Sequence, residues 1–372
     1  MTFVMAGGGT GGHVIPAIAV AREITRLGHA AQFVGTERGV EGRLVPAAGF
    51  PLAKIRVGGV KNLGVLTKLN SLWRLAAETI AQWRCFAVWK PAAVFSMGGY
   101  VAGPPVLAAL ARGVPVVVME PNAVPGATNR WIARWVRRAL ISFEETRRFF
   151  PPDRTELTGL PVRAEFFAIP SKQPGPEFTV LITGGSQGSR TLNQAARDSW
   201  PLFRDADLPV RFILQTGTTM HDELAKEFAA SGLSGEVVPF ITDMPAAFAQ
   251  ADLIVSRSGA GAVSELAAAG KPSILIPFPF AADDHQTKNA EALERAGAAI
   301  RSNDKEWNGP SLFQAVRALQ ADTQKLRGMG EAARSLSRPD SARRAAEILI
   351  FEGSNASKQS KGIDSTGPGP KQ

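Results

Sequence analysis

Phe3-Val4-Met5-Ala6-Gly7-Gly8-Gly9-Thr10-Gly11-Gly12-His13 stands near the start of the chain, and its reading decides the fold. Four apolar residues in a row fit a short buried strand, and Ile15, Ile18, Ala19 and Leu27 recur with helical period after the glycines. The stretch is therefore predicted to turn a first strand into a first helix. Glycines let another molecule approach the main chain, and the free N–H groups at a helix start favour an anion. Gly7-x-Gly9-x-x-Gly12 has the spacing of the dinucleotide fingerprint. The acid such a site needs beyond the second strand is supplied only poorly, by Glu37, which argues against a nicotinamide enzyme.

Strand-like and helical runs alternate outward from this turn. They run through 31–35, 38–48, 52–57, 66–89, 92–96 and 114–119, then reach 139–142 and the Pro-rich 150–152. Such alternation predicts βαβ units and a parallel sheet. The theme restarts at 178–183, where Gly184-Gly185-Ser186-Gln187-Gly188 forms a second glycine turn. Further strands are expected at 210–215, 236–240, 253–256, 273–277 and 298–301. The expected fold is α/β, with two Rossmann-like, doubly wound parallel-sheet domains facing across a cleft, at 1–160 and 177–338. A link at 161–176 joins them. A last helix at about 339–352 is expected to pack back on the first domain, and the Ser-, Lys- and Gly-rich 353–372 is read as a disordered tail.

Composition narrows the function classes. No apolar run is long enough to span a membrane, and a strand at the very start leaves no room for a signal peptide, so a cytoplasmic protein is expected. One cysteine, Cys85, and four histidines argue against disulfides and a Cys- or His-rich metal cage, and no metal or other cofactor is expected. Residues 1–160 carry 19 Lys and Arg against 9 Asp and Glu, while the remainder carries 23 against 24. A basic first half points to an extended anionic partner. No zinc-finger, RNP-type or leucine-zipper pattern is present and there is one tyrosine, so an anionic membrane surface is favoured over nucleic acid. Val65, Leu66, Leu69, Leu72 and Trp73 lie among Lys61, Lys68, Arg74 and Arg84. Together with Ile80 and Trp83 they recur at helical spacing, which fits either a core face or a membrane-inserting one.

Three further segments carry candidate chemistry. Ser256-Arg257-Ser258-Gly259-Ala260-Gly261-Ala262-Val263-Ser264-Glu265 leads from a strand into a helix. Its first turn offers N–H donors, and Glu265 could accept both hydroxyls of a ribose or simply balance the helix dipole. Gln286 and Asn289 share a helix face and could reach sugar hydroxyls or act as capping groups. His13, at the positive end of a helix, is the candidate general base, with Glu120 next. Asp283-Asp284 resembles a metal pair only superficially.

GGGTGGH at 7–13, MGGYVAGP at 97–104, EPN at 120–122, PVR at 161–163, GGSQG at 184–188, SRSGAGAVSE at 256–265 and QTKNA at 286–290 occur in one order. In this the chain resembles the MurG family of GT-B glycosyltransferases, glycosyltransferase family 28, from about residue 3 to 350. It departs from the family pattern at Pro121, Leu160, Gly261 and Ala262. The resemblance implies an N-acetylglucosaminyltransferase moving GlcNAc from UDP-GlcNAc to undecaprenyl-pyrophosphoryl-MurNAc-pentapeptide in peptidoglycan synthesis, peripheral to the cytoplasmic face of the inner membrane. It implies that the Ile241 backbone reads uracil and Glu265 grips the ribose. Ser186 and the turn amides would hold pyrophosphate, with Arg163 on the same nucleotide and Ala260, Gln286 and Asn289 near the sugar. Thr10, Gly11, Gly12 and Asn122 would face the donor sugar, and Gly9, Gly98, Gly99 and Tyr100 would line the acceptor side. The alternatives are another GT-B enzyme with a lipid acceptor, such as a diacylglycerol glucosyltransferase-like one, a dinucleotide oxidoreductase, and a nucleotide-sugar binder without activity.

Overall fold

A computed structural model describes the backbone of residues 1–58, 65–172 and 175–364, and the side chains of these except at 65–70 and 359–364. The chain divides into two compact units, Met1–Pro161 with Asp340–Gln372, and Val162–Pro339. In the first, β1 (Thr2–Ala6), α1 (Gly11–Arg26), β2 (Ala30–Gly35), α2 (Glu41–Ala47), β3 (Leu52–Lys54) and α3 (Val65–Trp89) follow one another. Then come β4 (Ala93–Ser96), α4 (Gly103–Ala111), β5 (Val116–Glu120), α5 (Ala127–Ile132), β6 (Arg138–Ile141) and β7 (Thr155–Leu157). The strands pair in parallel in the order β3-β2-β1-β4-β5-β6-β7. Residues 3–6 of β1, 93–95 of β4 and 116–119 of β5 are short, fully buried apolar runs, the pattern of a parallel sheet covered on both faces. Val4, Val34, Phe86, Val94, Val106, Val118 and Ile132 join them into one core.

The second unit holds α6 (Ala164–Phe167), β8 (Phe178–Thr183), α7 (Arg190–Asp205), β9 (Val210–Gln215), α8 (His221–Ser231), β10 (Ser234–Val238) and α9 (Met244–Gln250). It continues with β11 (Leu253–Ser256), α10 (Ala260–Ala269), β12 (Ser273–Leu275), α11 (His285–Arg295), β13 (Ala299–Arg301), α12 (Gly309–Ala321) and α13 (Thr323–Ser335). Its parallel order is β10-β9-β8-β11-β12-β13. Both sheets reverse their winding beside the first strand, between β1 and β4 and between β8 and β11. Ligands of open α/β sheets bind outside the carboxyl ends of the strands at such a point, and both glycine turns sit there.

Several sequence expectations shift. Two strands end early, β10 at Val238 and β12 at Leu275; in the second, Leu275 faces β13 and Pro277, two residues on, has no N–H to continue that ladder. Residues 164–167 of the expected link are helical, with Phe166 fully buried and its ring 5.0 Å from that of Phe248. Arg334 donates to the carbonyls of Phe167 and Ile169, tying the segment to the second unit.

The expected tail from 353 is corrected: α14 (Ser341–Asp364) runs unbroken through it, and 365–372 lie outside the described residues. The helix packs against α1 and β4 of the first unit. Glu352 is buried between Arg137 and Arg138, accepting from their Nε atoms at 2.9 and 2.8 Å. Gly353 lies so close to Ala92 that a Cβ would stand 2.9 Å from that residue's own. Tertiary anchors of this kind hold a helix whose polar composition alone would not.

Candidate active site

In the first unit the site grows from the β1–α1 turn. Thr10 takes the N-cap position of α1 with extended backbone, but its hydroxyl caps nothing and no acid occupies the first turn. The helix start therefore keeps its positive character. Gly9 has φ +86°, a conformation that a side chain would strain, and its α-carbon faces the ring of Tyr100. His13 is half-buried in the first turn of α1. Its Nδ1 lies 3.2 Å from the Gly8 carbonyl oxygen, and its ring packs against Gly99. A carbonyl only accepts, so Nδ1 carries the proton and the lone pair of the neutral ring is on Nε2. His13, the expected base, and Gly9, Gly98, Gly99 and Tyr100, the expected acceptor group, thus meet at the carboxyl ends of β1 and β4.

Glu120 is the second base candidate. It ends β5 only 1% exposed, and both carboxyl oxygens are occupied. Oε1 accepts from the backbone and side-chain amides of Asn122 at 3.0 and 3.2 Å, and Oε2 from Gly126 N–H at 3.2 Å and Asn129 Nδ2 at 2.9 Å. Burial pushes its carboxyl up to about 7 against these bonds. Such a group organises the 120–129 loop. Asn122, half-buried, is held by it.

In the second unit, Thr183, Gly184, Gly185, Met244, Phe248, Ser256, Arg257, Gly259, Ala262, Glu265 and Gln286 enclose a cavity of about 260 Å³. The side chain of Glu265 is 30% exposed there, with a guanidinium nitrogen of Arg163 3.9 Å from its Oε1. Burial pushes it up to about 7, and the positive charge of Arg163 partly offsets that. Ser186 is exposed at the tip of the glycine turn, and Ala260 begins α10 after an N-cap, Gly259, that offers no side chain. Gln286 lines the cavity while its Oε1 accepts from Phe278 N–H at 3.0 Å.

Asn289 does not reach the cavity. It is fully buried, and its amide donates to the Ser258 carbonyl at 3.1 Å, fixing the 256–260 loop to α11. The backbone N–H of Ile241 already donates to Gln215 Oε1 at 2.8 Å, which leaves its carbonyl as the group able to read a base.

Two halves built on the same plan are each recognised in comparison with known proteins. Residues 3–141 match the glycosyltransferase family 28 N-terminal domain and residues 179–345 the glycosyltransferase family 28 C-terminal domain. The chain belongs to glycosyltransferase family 28. A relative from Solibacter usitatus, named UDP-N-acetylglucosamine--N-acetylmuramyl-(pentapeptide) pyrophosphoryl-undecaprenol N-acetylglucosamine transferase, is 62% identical over 348 residues, 94% of this chain and 95% of the relative. One of the same name from Myxococcus xanthus is 42% identical over 94% of this chain and 92% of its own. The crystal structure of Acinetobacter baumannii MurG superposes with a TM-score of 0.79 at 31% identity, covering 94% of this chain and 99% of that one. The two parallel-sheet units are those of the GT-B fold of this family.

Family 28 motifs draw attention to the glycine turns and miss the residues that shape them. Gln215, almost fully buried at the end of β9, donates Nε2 to Thr183 Oγ1 and to the Gly185 carbonyl at 3.1 and 2.8 Å while Oε1 holds Ile241. Arg257 donates to the carbonyls of Ile276 and Pro277 and to Ser189 Oγ, and pairs with Asp304 at 2.6 Å. Beneath the first turn lies Glu41, fully buried. A polar residue closing the apolar run 210–214, and glycines at 35 and 39 around a glutamate, were the available signals.

Proposed function

We infer that this protein is an inverting N-acetylglucosaminyltransferase of peptidoglycan synthesis. It moves GlcNAc from UDP-GlcNAc to the C4 hydroxyl of MurNAc in undecaprenyl-pyrophosphoryl-MurNAc-pentapeptide, converting lipid I to lipid II. The observation that carries this reading is the full-length match to the Solibacter transferase in a chain whose cavity already combines a glycine turn with Glu265.

The second unit is the donor half. A carboxylate in a half-closed cavity suits both hydroxyls of a ribose, and the open turn at 184–188 suits a pyrophosphate with Ser186 at its tip. Arg163 is close enough to Glu265 to meet the same nucleotide, and the Ile241 carbonyl suits the uracil N–H. The first unit is the acceptor half, with Gly9, Gly98, Gly99 and Tyr100 as groups for the acceptor and Thr10 to Gly12 and Asn122 as groups that would contact the GlcNAc being transferred. In the displacement the acceptor oxygen bonds to the anomeric carbon as the bond to UDP breaks with its electron pair. The hydroxyl proton passes to Nε2 of His13. Charge on departing UDP falls to the helix starts and Arg163.

Attachment to an anionic membrane surface, at the cytoplasmic face of the inner membrane, accounts for the basic first half. No helix among the described residues is long and apolar enough to cross a membrane. Instead Leu72, Trp73, Ile80, Trp83 and Val88 of α3 are exposed, where a core face would be covered. Lys61 lies outside the described residues, as do the side chains of Val65, Leu66, Lys68 and Leu69. Apolar groups on a basic surface favour peripheral attachment.

Incubation with UDP-GlcNAc labelled in the sugar, offering the lipid-linked MurNAc-pentapeptide and diacylglycerol in parallel, tests the reading. Label is expected in the first lipid alone. Label in diacylglycerol, or in neither, overturns it.

A further inference from the structure

The β1–α1 turn rests on a carboxylate that the reaction scheme does not use. Glu41, at the start of α2, reaches under the glycines, so that a Cβ on Gly8 would stand 2.5 Å from its Cδ and one on Gly39 2.3 Å from its Oε2. A side chain at either position would displace the carboxyl from its hydrogen bonds. Oε1 accepts from Thr36 N–H at 2.9 Å and from Thr36 Oγ1 at 2.6 Å, and Oε2 accepts from Gly9 N–H at 2.9 Å. The Gly9 N–H belongs to the same peptide group as the Gly8 carbonyl, which accepts from His13 Nδ1. The Gly8–Gly9 peptide is trans, so the two groups point to opposite edges of that plane. Glu41 stands at one edge and His13 at the other.

We propose that Glu41 is a positioning residue for His13, acting through the Gly8–Gly9 peptide as the carboxylate of a triad acts directly on its histidine. A carboxylate drawing on the N–H polarises the amide, and its carbonyl becomes a stronger acceptor. That bond holds the proton on Nδ1, fixes the ring and leaves Nε2 as the more basic nitrogen. Burial opposes charge on Glu41, yet the bonds from Thr36 and from the Gly9 amide leave its carboxyl below the usual range, so it is ionised near neutrality. The glycine at 8 thus has a second use beside ligand approach, since a side chain there would meet the Glu41 carboxyl, while the glycine at 9 answers to its φ of +86°.

The catalytic part of the proposal rests on His13 as the base, while the tautomer does not, and the test separates them. Nitrogen-15 NMR of the full chain, with His13 identified by its loss in His13→Asn, reads the tautomer among only four histidines. The wild type is expected to carry the proton on Nδ1 above its titration. Glu41→Gln, similar in shape, should shift population toward the Nε2–H form and lower kcat about 10- to 100-fold, the range for loss of a partner behind a working ligand. KM for UDP-GlcNAc should stay within about twofold. Should Glu41→Gln not fold, Glu41→Asp, which withdraws the carboxylate by one methylene, carries the same expectation. Thr36→Val removes a bond to Oε1 but leaves Gly9 paired, and should keep the wild-type tautomer.

An Nε2–H tautomer in the wild type, an unchanged tautomer in folded Glu41 variants, or the same shift in Thr36→Val overturns the proposal. If His13→Ala turns over normally while the tautomer still follows Glu41, the relay stands and His13 is not the base.

Discussion

Lowering the pH should weaken donor binding through a single group, Glu265. Its carboxyl is pushed up to about 7 by burial, against a usual 4.5, with Arg163 offsetting only part of the effect. A carboxylate accepts from both ribose hydroxyls, whereas a protonated carboxyl surrenders at least one bond, so the nucleotide sugar selects the ionised form. Affinity should therefore be flat above pH 7 and fall toward about tenfold per unit below it, each unit being about 1.4 kcal/mol. Glu265→Gln keeps the shape and one acceptor but loses the charge. At pH 8 one charge-assisted bond, about 1.5–3 kcal/mol, is forfeited, a loss of roughly 10- to 150-fold in Kd. Calorimetry with UDP-GlcNAc between pH 5.5 and 8.5 measures both, and the intact sugar nucleotide serves better than UDP because its diester phosphates do not titrate there. Tight, pH-independent binding by the wild type, or the same slope in Glu265→Gln, would refute the argument.

Three other perturbations follow from the same geometry. His13→Ala should lower kcat by about 10²- to 10⁴-fold with UDP-GlcNAc binding retained, read by steady-state kinetics alongside calorimetry; near-normal turnover removes it as the base. Gln215→Ala strips Ile241 N–H, the Gly185 carbonyl and Thr183 of a buried partner. At about 1–3 kcal/mol for each group left bare, it should lower the melting temperature and weaken the donor, whereas wild-type affinity would mean the base-reading segment holds itself. Trp73 is 73% exposed, and Leu72→Ser with Trp73→Ser should reduce co-sedimentation with anionic vesicles about tenfold or more, at about 1.5–3 kcal/mol per inserted side chain. Unchanged sedimentation would place membrane contact elsewhere.

The parallel architecture was legible because its signals are local. Apolar runs such as Val180-Leu181-Ile182 mark strands, and glycine clusters mark the turns that follow the first strand of each sheet. The end of β12 slipped where Pro277 removed a donor, a local rule that apolarity obscured at 273–277. Residues whose role depends on partners far along the chain were not legible. Asn289 has the right helix face for a sugar, yet the Ser258 carbonyl, thirty-one positions away, turns it inward. Glu120 carries a base's chemistry, and only the four N–H groups folded around it reveal a loop organiser. Ile80 and Trp83 recur as core residues do, but the structure exposes them. The helix beyond 352 depends on Arg137 and Arg138, more than two hundred residues earlier.

Direct displacement at the anomeric carbon by the acceptor hydroxyl inverts the configuration of the transferred sugar. Proton NMR of the product formed from UDP-GlcNAc and the lipid-linked MurNAc acceptor reads it most directly. A single GlcNAc in β linkage to the C4 oxygen of MurNAc is the predicted result. An α linkage, or attachment at another hydroxyl, would contradict it.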